Sequence, residues 1–148
     1  MFRLKPILKL STFKEIRLVR DDCWNKVKGG EVSLCYFTGE SDMKALDLTN
    51  VDSVQSKSIA YINFRLHTEQ VGLFFIDSKY QNRTLGKQIL LKTIYEMHQN
   101  NVPAVWAITT PDHPFWSNVF NKKFKYSSKP HPSVSGDGYS CSILDCKV

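Results

Sequence analysis

The chain has 148 residues, of which 42% are hydrophobic and 23% are charged, so its composition is that of a globular protein and excludes general disorder. Its longest apolar run, residues 71–76, is far too short to cross a bilayer, and no charged and then apolar leader opens the sequence. We therefore expect one soluble cytoplasmic domain, residues 1–148. The formal net charge of +6 favours an anionic ligand, either nucleic acid or a small phosphorylated cofactor, and the dispersed lysines do not separate the two.

The first third of the sequence predicts little regular structure, and no repeat organises it. Residues 13–19 fit either a helix or a strand, and Gly29-Gly30 is a turn signal. Residues 31–37 alternate as a strand does, and residues 42–58 are polar, as in a loop or short helix.

Two strands and a helix follow with clearer patterns. Residues 58–66 are rich in β-favouring side chains, and residues 71–76 are wholly apolar, as in a strand buried on both faces. A helix is predicted over residues 84–99, where Gly86, Leu90, Ile94 and Met97 recur at helical spacing. This face should pack on the sheet.

The end of the chain completes an alternating pattern. We expect strands at residues 104–108, 124–127 and 139–144, with a helix over residues 111–121 whose N-cap is Asp112. A strand, helix, strand order implies a parallel crossover. The predicted fold class is therefore α/β in the α+β sense, a mixed and mostly antiparallel central sheet flanked by helices.

Metal-binding and disulfide patterns are not evident in the sequence. The four cysteines form no C-x-x-C pair and the four histidines add no ligand spacing, so we expect reduced, mostly buried thiols and no metal. These residues are Cys23, Cys35, Cys141, Cys146, His67, His98, His113 and His131.

The loop between the apolar strand and the long helix fits a phosphate site. The first backbone N–H groups of a helix lack partners within it, and its dipole favours negative charge there. Arg83 and Lys87 flank this terminus, and Gly86 allows close approach of a ligand to the backbone. An ordinary strand-to-helix turn with two solvated cations fits the same spacing.

The same residues resemble a family signature. Residues 71–77 followed by Gln81-x-x-Thr84-x-Gly86 resemble the coenzyme-binding motif of the GNAT acetyltransferase superfamily, which is Gln or Arg, two residues, Gly, one residue, then Gly or Ala. Residues 115–126 resemble the family's second motif, a helix that ends in an aromatic residue followed by a Gly-Phe strand start. The resemblance covers roughly residues 58–145. It implies a V-shaped splay between two parallel strands and the use of acetyl-CoA.

The resemblance also implies roles for individual residues. The backbone of the strand before the loop would hydrogen-bond the pantetheine arm of coenzyme A, and the loop amides would hold its pyrophosphate. The implied coenzyme-binding residues are Phe74, Phe75, Ile76, Gln81, Asn82, Arg83, Thr84, Leu85, Gly86 and Lys87.

Among the departures from the family pattern, three concern the coenzyme loop and the groups that would transfer protons. Thr84 stands where the family usually has Gly, Val119 where it has the tyrosine that protonates the leaving thiolate, and Gln70 where it often has a basic carboxylate. The remaining candidates for a base and an acid are Glu69, His113 and Tyr139, and His67 and Tyr126 are further candidates. Each also has a plain structural interpretation, as a turn carboxylate, a helix-start residue or a packed strand residue.

Two hypotheses about function follow. The first is an N-acetyltransferase that passes an acetyl group from acetyl-CoA to a primary amine by direct attack. The amine would belong to a protein, a small molecule or a nucleic-acid base. The second is a non-catalytic binding module that keeps the fold and engages nucleic acid or a protein through its basic surface. A homodimer would be one way to complete the acceptor groove.

Overall fold

The computed structural model describes residues 6–23, 25–81, 83–102, 104–109, 125–129 and 140–145. Its strands are β1 (Lys14–Asp22), β2 (Val27–Phe37), β3 (Ala60–Arg65), β4 (Gln70–Ile76), β5 (Ala104–Thr109), β6 (Lys125–Lys129) and β7 (Ser140–Asp145). Its helices are α1 (Val51–Lys57) and α2 (Leu85–Gln99), with short 3₁₀ turns at Leu10–Thr12, Glu40–Asp42 and Ser78–Tyr80.

These strands form a seven-stranded sheet in the order β1-β2-β3-β4-β5-β7-β6. Every neighbouring pair is antiparallel except β4 and β5, which are parallel and share the single registered pair Gln70↔Trp106. Beyond that pair the two strands separate toward the C-terminal end of β4. The predicted mixed, mostly antiparallel sheet with a splay between two parallel strands is confirmed.

The helix α2 covers one face of the sheet. Its predicted apolar face is confirmed at Leu90, Ile94 and Met97, which are fully buried, whereas Gly86 is only partly covered. The helix side of this core is completed by Leu85 and Ile89, and the sheet side by Leu34, Tyr36, Ile62, Phe64 and Val71. Burial of these side chains fixes α2 against this face of the sheet.

The helix α1 follows β2 and precedes β3 in the chain, and it belongs to a second apolar cluster. Val54 of α1 is buried with Leu18, Cys35 and Phe37. Because side chains alternate along a strand, Cys35 and Phe37 face away from the α2 side of the sheet. None of the helices in the described parts of the chain is long and apolar enough to span a membrane.

The strand β1 forms one end of the sheet and is tied to α2 by charge. Glu15 pairs with Lys92, and Arg17 pairs with Glu96. The hydrogen bond and negative charge of Glu96 raise the pKa of Arg17, although partial burial opposes this effect. Residues 13–19, which the sequence left open between helix and strand, therefore lie mostly within a strand.

The predicted turn at Gly29-Gly30 is wrong. Both glycines lie within β2, and the chain reverses between Asp22 and Val27. The register shifts between the pairs Arg20↔Glu31 and Asp22↔Val27, so the bulge contains the glycines. Gly29 has a φ of +70°, and a Cβ on Gly30 would lie 2.8 Å from the Asp22 Cβ. The glycines serve the irregular hairpin instead of forming its turn. The helix predicted over residues 111–121 lies outside the described residues.

Candidate functional site

The splay gives β4 one free edge. Its other edge pairs with β3 through Phe74, Phe75 and Ile76. Toward β5 the registered pairing stops at Gln70. A bulge lies just beyond that point, because the register between β3 and β4 shifts and leaves one extra β4 residue around Gly72. The backbone N–H and C=O groups of the outer part of β4 therefore face the opening between the strands.

The same strand carries an uncovered apolar surface. The predicted strand is confirmed, but its predicted burial on both faces is wrong, because Leu73 is 63% exposed and Phe75 is 44% exposed. The Phe75 ring stacks on Tyr61 with 5.4 Å between centroids and 29° between planes. A long ligand lying along this strand would meet amide groups at the edge and apolar side chains on the face.

The loop after β4 folds back on the end of the strand. Asp77 accepts a hydrogen bond from the Lys79 amide at 3.0 Å and so starts the 3₁₀ turn. Gln81 donates from its side-chain amide to the Ile76 carbonyl at 2.8 Å. The motif glutamine therefore braces the loop against the strand.

The start of α2 is open to an anion. Its N-cap residue Thr84 has φ +61° and ψ 0°, which is the left-handed region, and makes no capping hydrogen bond with its side chain. No acidic residue lies in the first helical turn. Gly86 is partly exposed and Lys87 is exposed beside this terminus. The geometry suits a phosphate group, and it shows why glycine is the usual residue at position 84.

Arg83 has protein partners that its motif does not indicate. Its Nε donates to the Pro6 carbonyl at 3.0 Å, and its own carbonyl accepts from the Leu8 amide at 3.1 Å. These contacts join the loop to the start of the described chain. They span more than seventy residues of sequence, so no local pattern predicts them.

The candidate acid and base residues are only partly within the described chain. Glu69 lies in the turn before β4, is partly buried, and has a φ of +60°. Gln70 is only 5% exposed, and its Oε1 has no hydrogen-bond partner among the described residues. His67 is exposed. Asn82, His113 and Tyr139 lie outside the described residues.

A buried ionic network lies behind the closed end of the splay. Glu31 is fully buried and pairs with Arg20 Nε at 2.8 Å and with an Arg65 terminal nitrogen at 3.1 Å. Arg65 also lies 3.3 Å from the buried Asp22. A cross-strand pairing of Glu31 with Arg65 is the signal that could have identified this network, once the strand register was known.

The Arg65 guanidinium lies over Gly72 of the β4 bulge, where a Cβ would approach it to 3.0 Å. Arg65 is also the register partner of Gln70. The network therefore supports the strand at which the splay begins.

Comparisons with known proteins identify the fold. No protein-family model matches the sequence, and no curated protein matches it. Among solved structures, a provisionally assigned acyl-CoA N-acyltransferase from Klebsiella pneumoniae matches with a TM-score of 0.58 over 93% of this chain and 99% of its own, at 8% identity. A GNAT-family acetyltransferase from Staphylococcus aureus Mu50 matches with a TM-score of 0.50 over 80% of this chain and 69% of its own, at 14% identity.

A third structure is that of an N-acetyltransferase, PaiA, from Thermoplasma acidophilum in complex with coenzyme A. It matches with a TM-score of 0.50 over 78% of this chain and 61% of its own, at 13% identity. At such low identities the likeness establishes the fold alone. The chain has the fold of the GNAT acetyltransferases, and the predicted resemblance is confirmed at that level, in a divergent sequence.

Proposed function

We propose that the chain is an N-acetyltransferase that binds acetyl-CoA along β4 and passes the acetyl group to a primary amine by direct attack. The observation that carries the proposal is the splay. The free edge of β4 begins at Gln70 and leads toward the uncapped N-terminus of α2. A cofactor with amide groups along its arm and phosphates at its end matches both features.

The pantetheine arm would pair with the backbone of Phe74, Phe75 and Ile76, since β3 occupies only the other edge of the strand. Its apolar segments would cover Leu73 and Phe75. The pyrophosphate would accept hydrogen bonds from the amides of residues 82–87. Arg83 and Lys87 add positive charge there.

Transfer requires a new C–N bond and loss of the C–S bond. The amine lone pair attacks the thioester carbonyl carbon, a base removes the amine proton, and the sulfur leaves as a thiolate that takes up a proton. We assign the base to Glu69, at the closed end of the splay, with His113 as the alternative, and the proton donor to Tyr139. Holding acyl donor and amine side by side supplies much of the rate even where proton transfer passes through water.

Coenzyme binding is tested by thermal unfolding with acetyl-CoA. Ligand at one hundred times its dissociation constant should stabilise the protein by about 2.7 kcal/mol. Gly86→Glu places bulk and negative charge at the phosphate position and should abolish the shift. Gly39→Glu is the matched control, because a Cβ at Gly39 meets nothing within 4 Å. The phosphate position is wrong if Gly86→Glu binds acetyl-CoA as the wild type does.

Catalysis is tested by release of the coenzyme thiol in the presence of a panel of primary amines that includes polyamines and lysine peptides. Glu69→Gln should lower kcat/KM by a factor of about 10² to 10⁴, the usual contribution of a general base. Glu40 is an exposed carboxylate distant in sequence from Glu69, so Glu40→Gln should leave kcat/KM unchanged. Equal rates for Glu69→Gln and the wild type would move the base to His113, which His113→Gln tests. Tyr139→Phe tests the proton donor in the same assay.

The second candidate is a binding module without catalysis. The left-handed, β-branched Thr84 and the neutral Gln70 at the start of β4 favour it. If that hypothesis is right, acetyl-CoA does not stabilise the protein. The protein instead binds a polyanion, and this binding weakens steeply as the salt concentration is raised. The two ligands, assayed on the same sample, separate the hypotheses.

A further inference from the structure

The start of the described chain crosses the proposed coenzyme loop. We call residues 6–13 the N-terminal segment. Four hydrogen bonds and one aromatic contact join it to the loop and to α2. Two of the four bonds are made by Arg83, which belongs to the proposed coenzyme loop, so the segment contacts that loop directly.

Gln88, in the second turn of α2, makes two of the four bonds. Its Oε1 accepts from the Leu10 amide at 2.9 Å, and its Nε2 donates to the Leu8 carbonyl at 2.5 Å. This side chain therefore satisfies the donor of one residue and the acceptor of another in the same segment, much as a neighbouring strand would. The arrangement holds the segment in one register against the helix.

Arg83 makes the other two bonds, one as acceptor and one as donor. The Leu8 amide donates to its carbonyl, and the Pro6 carbonyl accepts from its Nε. Both the backbone and the side chain of the residue before the α2 N-cap are thereby fixed. The bond to Pro6 uses one of the five guanidinium N–H donors, so the terminal NH₂ groups keep donors for a phosphate.

The C-terminal end of the segment is anchored by aromatic packing. The ring of Phe13 meets Tyr80 edge-on with 5.8 Å between centroids. Leu10, Phe13 and Tyr80 all pack against the main core cluster. The segment is thus joined to the core at one end and to the loop at the other.

We propose that the N-terminal segment sets the affinity for coenzyme by holding Tyr80, Arg83 and the start of α2 in their binding geometry, with Gln88 as the positioning residue. This inference rests on the proposed function. Preorganised sites bind more tightly because the ordering cost is met before the ligand arrives. By thermodynamic reciprocity, bound coenzyme must also tighten the segment.

The experiment compares Gln88→Met with Gln99→Met, which makes the same chemical change at the exposed end of the same helix. Calorimetric titration with coenzyme A should show binding weakened at least about fivefold in Gln88→Met, the lower end of coupling between two sites, and unchanged in Gln99→Met. In steady-state assays KM for acetyl-CoA should rise with kcat unchanged.

Hydrogen exchange gives a readout that a purely structural role would not change. In the wild type, saturating coenzyme A should slow exchange of the Leu8 and Leu10 amides, and in Gln88→Met this slowing should be lost. Should Gln88→Met fail to fold, Leu8→Pro removes the amide that bonds to Arg83. Ile7→Pro, at an exposed neighbour, is its control.

This inference would be overturned by equal coenzyme affinity in Gln88→Met and Gln99→Met. It would also be overturned if coenzyme A did not change the exchange rate of the Leu8 amide. Either result would leave the proposed function intact. Absence of coenzyme binding in the wild type would overturn both.

Discussion

Gln70 of β4 lies opposite Trp106 of β5, and within the described chain this is the last pair before the two parallel strands separate. The residue thus marks the closed end of the splay. It is also nearly completely buried, and within the part of the chain that the structure describes its Oε1 has no hydrogen-bond partner. A buried carbonyl oxygen without a hydrogen-bond partner destabilises the folded state, so its removal should not lower the free energy of unfolding.

We expect Gln70→Met to leave the free energy of unfolding unchanged or to raise it by up to about 1 kcal/mol, because it removes an unsatisfied buried oxygen. Gln55→Met is the matched comparison. Gln55 is buried too, but it donates to Ser33 Oγ at 3.2 Å, so its replacement should cost about 1 kcal/mol. Urea unfolding of both variants measures the difference. Equal destabilisation would mean that the Gln70 oxygen has a partner in solution.

Thr84→Gly should relieve backbone strain at the N-cap of α2. A non-glycine residue in the left-handed region costs roughly 1–3 kcal/mol, while glycine costs roughly 0.5–1 kcal/mol through the unfolded chain. The expected net gain in unfolding free energy is about 1 kcal/mol, measured by urea unfolding. Thr84→Ala keeps a Cβ at φ +61° and should give no such gain. A destabilised Thr84→Gly would indicate that the 3.2 Å bond from Gln88 to the Thr84 hydroxyl outweighs the strain.

Arg65→Met should destabilise the protein by about 3–5 kcal/mol, since it leaves the buried carboxylates of Glu31 and Asp22 short of a cation. Asp52→Asn breaks the exposed end of the same network and should cost about 0.5 kcal/mol or less. The midpoints of urea unfolding give both values. If the two losses were similar, the buried carboxylates would have other compensation.

Burial raises the pKa of the Cys35 thiol to about 12, whereas Cys23 is exposed. Peptide mapping after brief treatment with iodoacetamide at pH 8 should therefore find Cys23 labelled and Cys35 unlabelled. Rapid labelling of Cys35 in the folded protein would show that β2 opens readily.

The same shift predicts a loss of stability in alkali. An unfolded thiol ionises near pH 8.5, so the contribution of the neutral buried thiol is complete below about that pH. It is then lost as pH rises toward about 12, because the unfolded state releases its proton first. Urea unfolding of the wild type and Cys35→Ala at pH 7.5 and 10.5 should show the difference between them shrinking.

The strands β3 to β7 and the helix α2 could be predicted from sequence because their signals are local. The apolar run at residues 71–76 and the spacing of Leu90, Ile94 and Met97 each depend on neighbours within one element. The hairpin near Gly29 could not be placed in the same way. Glycine is compatible with both a turn and a bulge, and only the approach of Asp22 to Gly30 decides between them.

The candidate site was predictable to a similar extent. A motif marked Gln81 and Gly86, but neither Gln88 nor Arg65 stands in a motif, because their partners are distant in sequence. The left-handed backbone at Thr84 was likewise hidden, since threonine is a poor indicator of that conformation. Local chemistry could be inferred, whereas the contacts that orient it required the fold.

The outer strand β1 bears on which partners the chain can have. An end strand with unpaired backbone groups can recruit a strand from another molecule, and charged side chains oppose such pairing. Six of the nine residues of β1 are charged, and Arg17 and Arg20 are engaged with Glu96, Glu31 and Asp52. Sheet-to-sheet association through this end is therefore disfavoured, and these two arginines are largely neutralised within the chain. The charged side chains of β1 thus oppose pairing with another copy, and its two paired arginines leave less positive charge to attract a polyanion.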